Sequence, residues 1–141
     1  MSNNKDVAHI LFYGETWVKF SNKYKDILRD VIRKAGGDKA FWNQNRSNEI
    51  LHKIELYKDS PLVQFLDGLN LDVIKNIKTI MYIGRDKDHH PHGIPSSIFN
   101  QKFKELDLTS IDSKEIEITV IIEKAPLRRY ILDGMEILKI F

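Results

Sequence analysis

The chain contains no cysteine at all. That excludes disulfides, thiolate zinc sites and thiol nucleophiles, and it suits a reducing compartment such as the cytoplasm. Charge of one sign is also missing. Twenty-two basic residues face 20 acidic ones, for a net charge of +2. Nucleic-acid binders concentrate basic charge, because neutralising several phosphates supplies most of their affinity. Here the lysines are interleaved with acids, as in "KYKDILRDVIRK", "IDSKEIEI" and "QKFKELD". Those stretches predict solvated helix faces, so nucleic acid is disfavoured as a partner. The opening residues, "MSNNKDVAHILFYGETW", hold one lysine and a short apolar run broken by Gly14 and Glu15. They predict neither a signal peptide nor a membrane span. No repeat, low-complexity linker, Gly-x-Ser-x-Gly elbow or phosphate-cradling glycine loop occurs.

What is present is apolar residues at helical spacing. A chain of 141 residues is long enough for a single domain, expected to span 1–141, with its own core. Val7, Ile10, Leu11, Gly14, Trp17, Val18, Ser21, Tyr24, Leu28, Val31, Ile32 and Ala35 recur at steps of three or four before Gly36 and Gly37. This predicts one long N-terminal helix, or two broken near Gly14 or Ser21. Phe41 and Trp42 read as core anchors or as part of an interface. Ile50, Leu51, Ile54 and Tyr57 share a face. Ser60 and Pro61 form an N-cap and first-turn pair, with Gly68 as the stop. A helix opening on Asn70 should bury Ile74, Ile77 and Met81 and end at Gly84. Ser96 or Ser97 should cap the next, which carries Ile98, Phe99, Phe103 and Leu106 on one face.

The segment at 115–122 is ambiguous. Ile116, Ile118, Val120 and Ile122 alternate as a strand would, and β-branched residues favour strands. Asp112 and Glu115 stand at capping-box spacing, and Ile118, Ile121, Ile122 and Ala125 also fit a helix. A lone strand needs a partner, so helix is preferred. Leu127, Tyr130, Ile131, Gly134, Leu138 and Phe141 form the last stripe, with Pro126 in its first turn. The expected fold is an all-α bundle of about six to eight helices, with an α+β fold as the alternative. A long aromatic opening helix further predicts homodimerisation through that helix.

Chemistry concentrates in "YIGRDKDHHPHGIP", residues 82–95. Imidazoles and carboxylates are the ligands of zinc, iron or manganese, which makes Asp88, His90 and His92 metal candidates, with Asp86 and His89 beside them. The spacing argues against a helical site, where ligands stand three or four apart, because Pro91 and Gly93 prevent regular helix. His9 and His52 are isolated. The plainer reading is a polar turn between two helices, with Arg85 at a helix end facing the terminal carbonyls and held by Asp86 or Asp88. Arg128 and Arg129 in "LRRY" project in different directions from a helix and read as solvated surface.

Two segments resemble a small, mostly bacterial domain-of-unknown-function family, number thirty-seven seventy-five in its series. One is an apolar helix ending in Gly-Arg followed closely by Asp, here "IKTIMYIGRDKD" (Ile77–Asp88). The other is a closing helix with a Pro-Leu start and a Gly-Met near its end, here "IIEKAPLRRYILDGMEIL" (Ile121–Leu138). Together they cover roughly residues 68–138, about half the chain. Departures are Tyr82 where members tend to have tryptophan, Asp86 where they tend to have glycine, and the histidine-proline stretch. The resemblance implies an all-helical bacterial protein and no particular activity.

The function expected from the sequence is therefore non-enzymatic, through contact with a protein partner or with a second copy, and no cofactor is expected. Trp17, Phe41, Trp42 and Arg85 are the candidate contact residues. A metal-dependent hydrolase or nuclease using the loop 86–92, with a divalent metal as cofactor, is the alternative.

Overall fold

The computed structural model describes residues 16–35 and 59–141, and within them it is built from α-helices. Phe41, Trp42, Gly14, Gly36, Gly37, His9, His52 and the apolar face at 50–57 lie outside the described residues.

The first described helix, α1 (Trp17–Ala35), is continuous through Ser21. Its buried residues, Trp17, Phe20, Tyr24, Leu28 and Val31, follow steps of three and four, which is one face of a 3.6-residue repeat. The aromatic end of this face is an internal anchor. Trp17 stacks on Phe20 at 4.9 Å and Phe20 on Tyr24 at 4.2 Å, while Phe99 leans against Phe20 at 4.8 Å. The Trp17 indole N–H donates to the Leu138 carbonyl oxygen at 3.2 Å.

Helix α2 (Pro61–Asp67) starts and stops as its sequence dictates. The Ser60 hydroxyl accepts the Leu62 N–H, Pro61 takes the first position, and the Gly68 N–H closes on the Gln64 carbonyl. Helix α3 (Leu71–Asp86) departs from expectation at its end, because it passes through Gly84 and stops two residues later. Lys87, in the left-handed region at φ 51°, terminates it and donates its N–H to the Ile83 carbonyl. Gly84 serves a different purpose. A Cβ there would collide with the Tyr130 carbonyl oxygen and stand 2.6 Å from the Gly134 nitrogen. The glycine lets two backbones approach.

Helix α4 (Pro95–Asp107) begins at its proline. Neither Ser96 nor Ser97 caps it. Ile94, held extended at ψ 152° as a residue before proline must be, occupies the capping position, and Ser96 is buried within the first turn. Helix α5 (Lys114–Glu123) settles the ambiguous segment as helix. The cap is Ser113, whose hydroxyl accepts the Ile116 N–H at 3.3 Å, while Asp112 instead binds Lys75 at 2.7 Å. Glu117, Ile118, Thr119, Ile121 and Ile122 are all buried, so this helix is enclosed on most sides. Thr119 satisfies its hydroxyl by donating to the Glu115 carbonyl one turn back, at 2.8 Å.

Helix α6 (Leu127–Ile137) follows Pro126 directly. The expected stripe holds as far as Leu138 and fails at Phe141. Lys139 turns left-handed at φ 57°, which puts Ile140 into the core and Phe141 into solvent at 72% exposure.

α3 is the central helix. It packs most extensively on α6 and also touches α4 and α5, while α1 lies against α6 and α2. From Asn76 to Met81 every residue of α3 is buried, including Lys78 and Thr79. The polar groups among them are paired: Asn76 donates to the Tyr24 hydroxyl at 2.8 Å, and Lys78 to Glu117 at 2.6 Å. No helix among the described residues is long and apolar enough to cross a membrane.

Candidate functional site

The charged loop leaves α3 through Arg85 and Asp86. The Arg85 guanidinium lies 4.4 Å from the centre of the Tyr82 ring and donates through Nε to Asp86 Oδ1 at 2.8 Å. Of the role expected for Arg85, the structure shows its place at the helix end and the aspartate that holds it, Asp86. Its other contact, the Tyr82 face, is a cation–π interaction that the i, i+3 spacing permits.

Lys102 organises the rest. This residue of α4 is buried, and its ammonium reaches Asp86 Oδ2 at 3.1 Å, Asp88 Oδ1 at 3.0 Å and Glu105 Oε2 at 3.4 Å. The carboxylates that made this loop a metal candidate therefore already surround a cation belonging to the chain. Burial works against the charge on Asp86, but hydrogen bonds from Arg85 and Lys102 outweigh it and hold the carboxyl below its ordinary 3.8. Burial likewise opposes the charge on Lys102, and the bonds to Asp88 and Asp86 outweigh it, holding the ammonium above its ordinary 10.5. Both ends of the pair are fixed in their charged forms at neutral pH.

The interleaved charges of "QKFKELD" predict a solvated face, and the burial of Lys102 departs from that expectation. A signal was present: Pro95, Ile98, Phe99, Lys102 and Leu106 follow three- and four-residue steps, so the buried stripe of α4 runs through the lysine.

The pairing has a pH signature. Asp86 is depressed on folding, so its contribution to stability is present above pH 3.8 and is lost as pH falls through its lower folded value. Lys102→Met should therefore cost about 1–2 kcal/mol at pH 7, discounted because the partner aspartates are partly exposed. The gap from wild type should close as pH drops below the ordinary carboxyl range. Urea unfolding of both proteins at neutral and acid pH measures it. A gap that stays constant would mean that lost packing alone explains the cost.

The histidines stand apart from this cluster. The His92 backbone N–H donates to His90 Nδ1 at 3.0 Å, the two rings lie 6.0 Å apart, and the Gly93 N–H closes the turn on the His90 carbonyl at 2.9 Å. His90 and His92 are exposed; His89 turns inward, and its Nδ1 is enclosed without a hydrogen-bond partner among the described residues. Beside it is a cavity of about 20 Å³ lined by Ile83, Asp88, Ile98, Gln101, Lys102 and Glu105. Of the metal candidates, Asp88 points to Lys102, while His90 has one ring nitrogen committed to the turn. Among the described residues no group of three or more His, Asp or Glu side chains converges as a metal site.

The interaction candidates divide differently. Trp17 is in the core, 5% exposed, so the aromatic face of α1 is spent within the chain. Arg85 is at the surface. A large concave surface lies along α6. An open groove of about 730 Å³ is lined by Arg29 and Ile32 of α1, by Arg129, Leu132, Asp133, Met135 and Glu136 of α6, and by Ile140 and Phe141. Leu132 is 42% exposed on this face. Asp133, on the rim of this groove, pairs with Lys87 at 3.0 Å. The groove is not visible in the sequence, because Phe141 falls on the apolar stripe there but stands in solvent, and Arg129 of "LRRY" lies on the groove rim.

Compared with known protein families, curated proteins and solved structures, the chain matches none.

Proposed function

We propose that this chain is a non-enzymatic bacterial, cytoplasmic protein that acts by contact with a protein, in the manner of an immunity protein, antitoxin or inhibitor. The contact surface is the groove along α6. The observation that carries this reading is the exposure of Leu132 and Phe141 beside an open groove whose rim holds both charges. Exposed large apolar side chains grouped at a concave surface mark contact sites more often than solitary ones do. The engagement of Asp86 and Asp88 with Lys102 supports the same reading over a metal-dependent hydrolase, since a metal would have to displace a buried ammonium. Gly84 and Gly134, the glycines of the segments 77–88 and 121–138, meet at a helix crossing, so their role in this chain is one of packing.

Site-specific photo-crosslinking tests the proposal. A photoreactive residue at position 132, in cells making the protein, should give a discrete adduct, and the same residue at position 90 should give none. Adducts from 90 and none from 132 would overturn it.

A further inference from the structure

The outer face of α6 has a charge order that fits a copy of itself. Arg129, Leu132, Asp133 and Glu136 stand at i, i+3, i+4 and i+7, so they share one face of the helix. The cation is at the N-terminal end, the apolar residue near the middle and the free acid at the C-terminal end. Asp133 is already answered by Lys87 at 3.0 Å. Arg129 and Glu136 form no ion pair among the described residues, although both line the groove.

In a two-fold symmetric contact each residue meets its complement on the other copy. Two such helices, packed antiparallel about an axis between Leu132 and Asp133, bring Arg129 of each copy opposite Glu136 of the other. The two charges are about 10 Å apart along one helix, at a 1.5 Å rise, so each copy presents two matched positions. Leu132 then lies beside the axis and meets its own counterpart. Phe141, 72% exposed just beyond the acidic end, extends the apolar surface. A parallel arrangement would instead set arginine against arginine.

From this we infer that the occupant of the α6 groove is a second copy of this chain, docked antiparallel through Arg129, Leu132 and Glu136. The inference rests on the reading of α6 as the contact surface and names its partner. It also relocates self-association from the aromatic face of α1, which is buried, to the opposite end of the sequence.

Sedimentation of the full chain between about 5 and about 300 micromolar, a range that covers weak homodimers, tests it together with charge reversal. Wild type should shift from monomer to dimer, and less so in high salt. R129E and E136R should each weaken the dimer by about tenfold or more, because each sets like charges opposite one another. The double variant R129E/E136R should recover to within about threefold of wild type, since the pair is restored in reverse. R128E, on another face of α6, should change nothing, and circular dichroism checks that every variant is folded. A wild type that stays monomeric throughout, or a folded double variant without recovery, overturns the inference. Crosslinking from position 132 to a different protein would then leave the α6 reading standing without the dimer, while no adduct at 132 would end both.

Discussion

Gly134→Ala and Gly84→Ala should each destabilise the protein by about 3 kcal/mol, at the upper end of what one added methyl costs in a packed interior. Helix propensity taken alone predicts the opposite sign, since alanine is favoured over mid-helix glycine by about 1 kcal/mol. The crossing of α3 and α6 decides between them. A Cβ at position 134 would collide with the Ile80 carbonyl oxygen and stand 2.9 Å from Ile80 Cγ2; at 84 it would collide with the Tyr130 carbonyl oxygen. The obstacles are mostly backbone, which cannot swing aside as the end of a long side chain would. Relief requires α3 and α6 to separate, and this is the most extensive helix pair of the fold. The two sites touch, so the double variant should cost clearly less than the sum of the singles. Urea midpoints of the three variants give the answer. A stabilised G84A or G134A would mean that the helices do not approach this closely.

The second large effect is expected at the buried ion pair between α3 and α5. Lys78 Nζ and Glu117 Oε1 are 2.6 Å apart, and their side chains are 7% and 3% exposed. Moving two charges out of water is costly, and mutual attraction repays that only while both partners remain. Glu117→Leu strands a buried ammonium and should cost about 3–5 kcal/mol. Lys78→Met strands the carboxylate at similar cost. The double variant Lys78→Met with Glu117→Leu removes both charges and keeps similar volumes, so it should recover most of the loss and approach wild-type stability. Chemical unfolding of the four proteins forms a double-mutant cycle with a large coupling energy. Additive losses would show that the pair does not act as a unit.

Much of the helical architecture was legible because apolar spacing and capping chemistry agreed. Ser60, Pro61 and Gly68 bracket α2 as read, and the positions of α3 expected from the 3.6-residue period, Ile74, Ile77 and Met81, are all buried. Misreadings arose where one residue type serves two physical ends. Gly84 can stop a helix or admit a neighbouring backbone, and only the position of Tyr130 and Gly134 tells which. Ser96 could have capped α4, but Pro95 had already fixed the first turn one residue earlier. α5 was ambiguous because it is buried on most sides: an enclosed helix has no polar face to reveal its period, and β-branched residues then imitate a strand.

The loop at 86–92 shows the limit of local reading most clearly. Its carboxylates were visible, but the cation they hold comes from α4, 14 residues beyond Asp88. A ligand cluster read from one segment has no view of an ammonium arriving from another. Lys102 turns what resembled an open site into a fastening between the end of α3 and the middle of α4.

The most direct test of that fastening is metal analysis of the full chain, produced without a histidine tag or a nickel column and titrated calorimetrically with zinc and manganese. Wild type should hold far less than one metal per chain, with no saturable site that H90A/H92A abolishes, and K102M should lose stability. One equivalent of metal bound to wild type and lost on D88N or H90A/H92A would contradict the assignment and return the loop to the status of a metal site.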